Sequence, residues 1–117
     1  MAIEDKHLQE MRELLAPVGA ITIRKMFGGA GVYCDGLFFA LIDDGELYLK
    51  VDDENRAEFE EAGSHPFTYD AGGKPMEMSY WVAPADLYES ESGLVKWANL
   101  ALDAARRKPP TKKRKKP

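Results

Sequence analysis

Eight of the sixteen lysines and arginines crowd into the last twelve residues: Arg106, Arg107, Lys108, Lys112, Lys113, Arg114, Lys115 and Lys116. No Asp or Glu interrupts them, so the chemistry this segment suits is neutralisation of phosphates. If all eight cations did so, log affinity would fall with log salt along a slope of roughly −7, and binding would be weak and blind to base sequence. Residues 1–105 carry 8 basic against 20 acidic side chains, a charge of −12, so the net −4 of the chain conceals two objects of opposite sign. The tail has other uses open to it: folding back on the acidic body, meeting an acidic protein, or staying solvated.

Other reactive side chains are sparse. Gly28-Gly29-Ala30-Gly31 looks like a phosphate loop, but it lacks the Gly-Lys-Ser/Thr ending, leads into no helix, and does not fit the dinucleotide fingerprint. A bend, a bulge or a close backbone approach between two strands accounts for it. His7, on the exposed side of a helix, and His65, in a loop, have no second His or Cys at metal-ligand spacing. No metal or cofactor is expected. Cys34 is the only cysteine, which rules out an intrachain disulfide, fits a reducing cytoplasm and reads as a small core residue. No nucleophile elbow surrounds Ser64, Ser79, Ser90 or Ser92. The carboxylates of Asp43, Asp44, Glu46, Asp52, Asp53 and Glu54 sit where turns and helix caps want them. The chain therefore reads as non-enzymatic. Tyr33, Tyr48, Tyr69, Tyr80 and Trp81 have the type to stack bases on a sheet, but a body of charge −12 repels phosphate. They are expected in the core or at a protein interface.

The elements that must position these groups follow from periodicity. Residues 4–16 set Leu8, Met11, Leu14 and Leu15 on one helical side, and Pro17 ends the helix. From Ile21 to Val51 the period becomes two, broken by Asp35-Gly36 and Asp43-Asp44-Gly45, which predicts an antiparallel meander of three or four strands. Leu37–Ile42 is apolar on both faces and is expected to be central, with helices on one side and a further cover, such as a partner subunit, on the other. Asp52 or Asp53 caps a helix through Phe59 that stops at Gly63. A hairpin follows, Phe67–Tyr69 with Met76–Val82, placing Met76, Met78, Tyr80 and Val82 on one face. After a turn around Asp86 to Tyr88, a last helix over 92–106, capped by Ser90 or Ser92, buries Trp97. The fold class is α+β, a mostly antiparallel sheet with helices on one face. The longest apolar run, Leu37–Ile42, is far short of the roughly 20 residues of a membrane span, and Met1–Asp5 does not open a secretory signal. Residues 108–117 have no apolar side chain but proline to bury and are expected to be a disordered tail on a domain of residues 1–107.

Three stretches carry a family resemblance: Arg24-Lys25-Met26-Phe27-Gly28-Gly29-Ala30-Gly31-Val32-Tyr33, Asp35-Gly36-Leu37-Phe38-Phe39-Ala40 and Leu47-Tyr48-Leu49-Lys50-Val51-Asp52. With Phe67-Thr68-Tyr69, Met78-Ser79-Tyr80-Trp81, Pro84 and the helix from Leu94 to Ala101, the chain resembles the N-terminal domain of the TfoX/Sxy competence regulators over about residues 8–105. The resemblance implies the order helix, three strands, helix, two strands, helix, and a bacterial cytoplasmic protein. Full-length members regulate natural competence together with a cyclic-AMP-responsive transcription factor and are not known as enzymes. The family's separate C-terminal domain has no counterpart in these 117 residues, where the basic tail stands instead. The expected function is a binding module that contacts a protein partner, such as a transcription factor, through the sheet. Weak nonspecific DNA or RNA contact falls to the tail, and a homodimer through Leu37–Ile42 is a further expectation. Met26, Phe27, Gly28 and Gly29 are candidates for an interaction surface and equally for a structural corner. The alternative is a small-molecule or enzymatic pocket near Met26–Gly31.

Overall fold

The computed structural model describes residues 5–26, 29–70 and 72–107. Two Asp-Gly pairs set the strand register. Asp35 and Asp44 take φ of 52°, and Gly36 and Gly45 take 82° and 80°. This is the consecutive positive-φ geometry that a two-residue hairpin turn demands. The turns join β2 (Gly29–Cys34) to β3 (Leu37–Asp43) and β3 to β4 (Glu46–Lys50), while β1 (Ile21–Met26) pairs with the outer side of β2. After α2 (Arg56–Glu61), the strands β5 (Pro66–Asp70) and β6 (Pro75–Val82) return. β6 lies beside β4, giving six antiparallel strands in the order β1-β2-β3-β4-β6-β5.

The meander has four strands rather than the three implied by the resemblance, because Ile21–Met26 pairs along its whole length with β2. α1 (Asp5–Leu15) precedes it, followed by a 3-10 turn at Ala16–Val18 that holds Pro17. The expected turn near Asp86 is a short helix, α3 (Asp86–Glu89), leading into α4 (Glu91–Arg107). Ser90 Oγ accepts the Gly93 N–H at 3.0 Å and caps α4. No helix among the described residues is long and apolar enough to cross a membrane.

The helices cover one face of the sheet. Leu8, Met11 and Leu15 of α1 and Leu94, Trp97, Ala98, Ala101 and Leu102 of α4 share a core with Val32, Phe39, Ala40, Ile42, Leu47 and Leu49 of the strands. Phe59 of α2 sits between two tryptophans, its ring 4.9 Å from Trp97 and 6.5 Å from Trp81. His7 departs from expectation: it is half-buried, and its Nε2 has no hydrogen-bond partner among the described residues.

β3 is central, but strict alternation fails within it. A period of two would set Phe39 and Ala40 on opposite faces. The pairing shifts by one residue between Val32↔Ala40 and Tyr33↔Phe38, a β-bulge, and both Phe39 and Ala40 are fully buried in the core. Phe38 and Leu41, on either side of that inward pair, then share the face without helices.

The corner after β4 is closed by Asn55, a polar residue in the core at 2% exposure. Its Oδ1 accepts the Asp52 N–H at 2.8 Å, and its Nδ2 donates to the carbonyls of Lys50 at 3.3 Å and Leu100 at 3.0 Å, tying the strand end to α4. Truncation would strand three part-buried backbone groups. Asn55→Ala is expected to lower stability by about 3 kcal/mol in urea unfolding, and Asn55→Asp, which cannot donate, to be destabilising as well. Asn99→Ala, on the exposed side of α4, should stay within about 0.5 kcal/mol of wild type.

Candidate functional site

The face without helices carries a row of rings. Tyr33 of β2 stacks on Phe38 of β3 with centroids 5.1 Å apart, and Phe38 meets Tyr80 of β6 at 5.5 Å. A cation closes each end: the Arg24 guanidinium lies 5.9 Å from the Tyr33 centroid, and the Lys50 ammonium 5.1 Å from that of Tyr80. Lys50 also donates to Ser79 Oγ at 2.8 Å. A second aromatic pair, Tyr48 edge-on to Phe67 at 4.9 Å, lies alongside. Of the five aromatics expected in the core or at a protein interface, Tyr33, Tyr48 and Tyr80 share this face. Trp81 turns into the core against Phe59, and the Tyr69 side chain lies outside the described residues. Phe38 and Phe67 complete the set. Neither was singled out by sequence, since Phe38 reaches this face through the bulge.

Burial tunes the ionisable groups here. Tyr80 is pushed up to about 12 by burial, with Tyr33 adding to the shift. Tyr48 is raised by burial and then by the carboxylates of Glu46, Asp43 and Asp44. Burial lowers Lys50, against the opposing pull of Asp52. Cys34 behaves as a core residue, its thiol raised by burial first and by Asp35 second.

At the glycine-rich corner, Met26 and Gly29 face each other across β1 and β2, while Phe27, Gly28 and the Met26 side chain lie outside the described residues. Gly29 is buried, and a Cβ there would collide with the Ile42 carbonyl oxygen of β3. Its lack of a side chain permits close strand approach. A groove of about 250 Å³ lies elsewhere, lined by Leu14, Pro17, Leu87, Tyr88 and Leu94 with Glu89 and Glu91 at its rim. No cluster of three His, Cys, Asp or Glu among the described residues can hold a metal ion.

The same stretch of chain is similar to known proteins. The model of the TfoX N-terminal domain matches residues 13–105. The chain belongs to the TfoX N-terminal domain family. Protein Sxy of Escherichia coli (strain K12) is 31% identical over 103 residues, which are 86% of this chain and 48% of that protein. DNA transformation protein TfoX1 of Aliivibrio fischeri (strain ATCC 700601 / ES114) is 37% identical over 68 residues, 57% of this chain and 32% of that protein. The chain spans about half the length, or less, of the curated relatives it matches.

In this TfoX N-terminal domain the first two of the eight candidate cations are engaged by carboxylates. Arg106 meets Asp103 at 2.9 Å. Arg107 grips both oxygens of Asp52, at 2.6 and 2.8 Å, and lies 3.4 Å from Glu54. Lys108, Lys112, Lys113, Arg114, Lys115 and Lys116 lie outside the described residues.

Two pH dependences follow. The bond from Arg107 is the largest influence holding Asp52 below its ordinary 3.8. A depressed carboxyl adds stability above its unfolded value and loses it as the pH falls through the folded one. The stability gap between wild type and Arg107→Ala is therefore expected to be full at neutral pH and to shrink below about pH 4, as followed by urea unfolding across an acid series. Tyr80 works in the opposite direction: its contribution is present below pH 10 and is lost as the pH rises through about 12. Tyr80→Phe should remove the last phase of tyrosinate formation in a spectrophotometric titration and gain on wild type in stability at the alkaline end.

Proposed function

We propose that this chain is a non-enzymatic regulatory module of the competence-regulator kind that works by contacting another protein through the open face of its sheet. The observation that carries the reading is the row Arg24, Tyr33, Phe38, Tyr80 and Lys50, left without a helical cover in a member of the TfoX N-terminal domain family. Tyrosine, phenylalanine and arginine are the side chains enriched at protein interfaces, and the half-buried rings of Tyr33 and Phe38, locked against each other and against the buried Tyr80, lose little entropy on being covered. The Aliivibrio fischeri relative is a DNA transformation protein, which supports a role connected with transformation for this chain.

The cationic segment from Arg106 to Lys116 adds weak nonspecific contact with nucleic acid. With Arg106 and Arg107 already paired, six cations remain in the tail sequence. The salt slope then becomes roughly −5 on duplex DNA.

In a naturally transformable bacterium carrying a competence-gene reporter, expression of this chain is expected to change reporter output several-fold. The double variant Arg24→Ala/Tyr33→Ala, folded by circular dichroism, should return output to the empty-vector level; output equal to wild type would refute the role of the face. Separately, deleting residues 108–117 should preserve the fold and abolish salt-sensitive DNA retention. A truncated chain that shifts DNA as well as the full one would remove the tail from the account.

A further inference from the structure

We infer that the partner of the open face is a second copy of this chain, packed sheet to sheet about a two-fold axis that crosses β4 at Tyr48. This rests on the reading that the open face makes the protein contact, and it names the partner. The outward side chains of β4 are Glu46, Tyr48 and Lys50, while Leu47 and Leu49 point into the core. They form an anion, a ring and a cation at equal steps of about 6.8 Å. Asp43, paired with Glu46 across the β3–β4 hairpin, strengthens the anionic end, and both carboxylates act on Tyr48. At the other end the Lys50 ammonium donates to the Ser79 hydroxyl and lies over the Tyr80 ring, and among the described residues no carboxylate forms a salt bridge with it, Asp52 acting on it from a distance.

Such a pattern is its own complement. A two-fold axis running across the strands through Tyr48 sets Lys50 of one copy over the anionic end of the other, and the reverse, so both unlike pairs form at once. The row in between, Tyr48 with its β3 neighbour Leu41, meets its own image and supplies the apolar centre. Antiparallel sheets pack in this manner with strands within about 30° of alignment and faces about 10 Å apart, a gap that lysine and glutamate side chains span. Arg24, on the row of Tyr48, leans over Tyr33 and away from that axis.

The same observations disfavour a nucleic acid on this face. Its two row-end cations share the face with Asp43 and Glu46, and Tyr80, at 8% exposure, has little ring left to stack a base. The six strands offer a planar footprint on the order of 500 Å² per copy, below the roughly 800 Å² per partner of a standard interface. The dimer is accordingly one that dissociates on dilution.

Sedimentation velocity of the full chain, from low to several hundred micromolar, tests this. Wild type should shift from monomer to dimer across the range. Lys50→Glu alone and Glu46→Lys alone should each weaken dimerisation about tenfold, each replacing two attractive pairs by two repulsive ones. The double swap Glu46→Lys/Lys50→Glu should restore it, and a mixture of the two single variants should form the heterodimer that neither forms with itself. A chain monomeric at every concentration, single variants that dimerise like wild type, or a double swap as weak as the singles would each overturn the inference. So would a monomeric chain that binds fluorescent oligothymidylate and loses it in Lys50→Glu. The two readings fail separately: a monomer whose reporter output still depends on Arg24 and Tyr33 sinks only the dimer, and a dimer whose reporter output ignores them sinks only the regulatory role of the face.

Discussion

One helix can dry only one side of a sheet, and the organisation of this molecule follows from how α4 meets that limit. Trp97, Ala98, Ala101 and Leu102 lie on β3 and β4, and the alanines let the helix come close enough for Phe39, Leu47 and Leu49 to be fully enclosed. Each such side chain removed from water stabilises the fold by roughly 1.5–3 kcal/mol. Asn55 and Arg107 extend the same attachment toward the end of α4. One bonds the Leu100 carbonyl inside, and the other reaches Asp52 at the surface. α1 and α2 add to this layer, and no described helix crosses to the other side.

The opposite face has had to find its own cover. Its rings shield one another, with Phe38 between Tyr33 and Tyr80 and Tyr48 against Phe67, and its long cations lay their stems over the ring faces. The result is a surface neither dry nor fully wet. Burial is deep enough to shift Tyr80 and Lys50, yet Tyr33, Phe38 and Tyr48 keep area that a protein surface can still bury. A body with an excess of carboxylates presents here a small mixed-charge patch, which favours matching against another patterned surface over attraction of a polyanion.

Much of this was legible from local chemistry. The Asp-Gly turns, the central place of Leu37–Ile42, the inward Trp97 and a cap from Ser90 or Ser92 follow from residue types at short spacing, and the structure bears each out, with Ser90 as the cap. The family resemblance is borne out by the match to the TfoX N-terminal domain. The face of the rings was less legible. Five aromatics were grouped by type, but Trp81 is drawn into the core by Phe59, and Phe38 entered the row only because Phe39 and Ala40 both turn inward. A bulge leaves no composition signal in an apolar run, where every register looks equally dry.

What the sequence by itself determined is therefore the strand and helix segments and the Asp-Gly turns, fixed by contacts a few residues apart, and the segregation of charge into an acidic body and a cationic end. The expected Asp52 or Asp53 cap of α2 gives way to Asn55, which makes no side-chain cap bond. Tertiary structure alone decided which residues face outward from β3, that Gly29 is a point of close strand approach, and that Arg106 and Arg107 are held by carboxylates. The physical reason is that β-sheet register and ion pairing across 55 residues, as between Asp52 and Arg107, depend on which distant surfaces the chain brings together. Side-chain pattern along the chain says what must be buried, and only packing says against what.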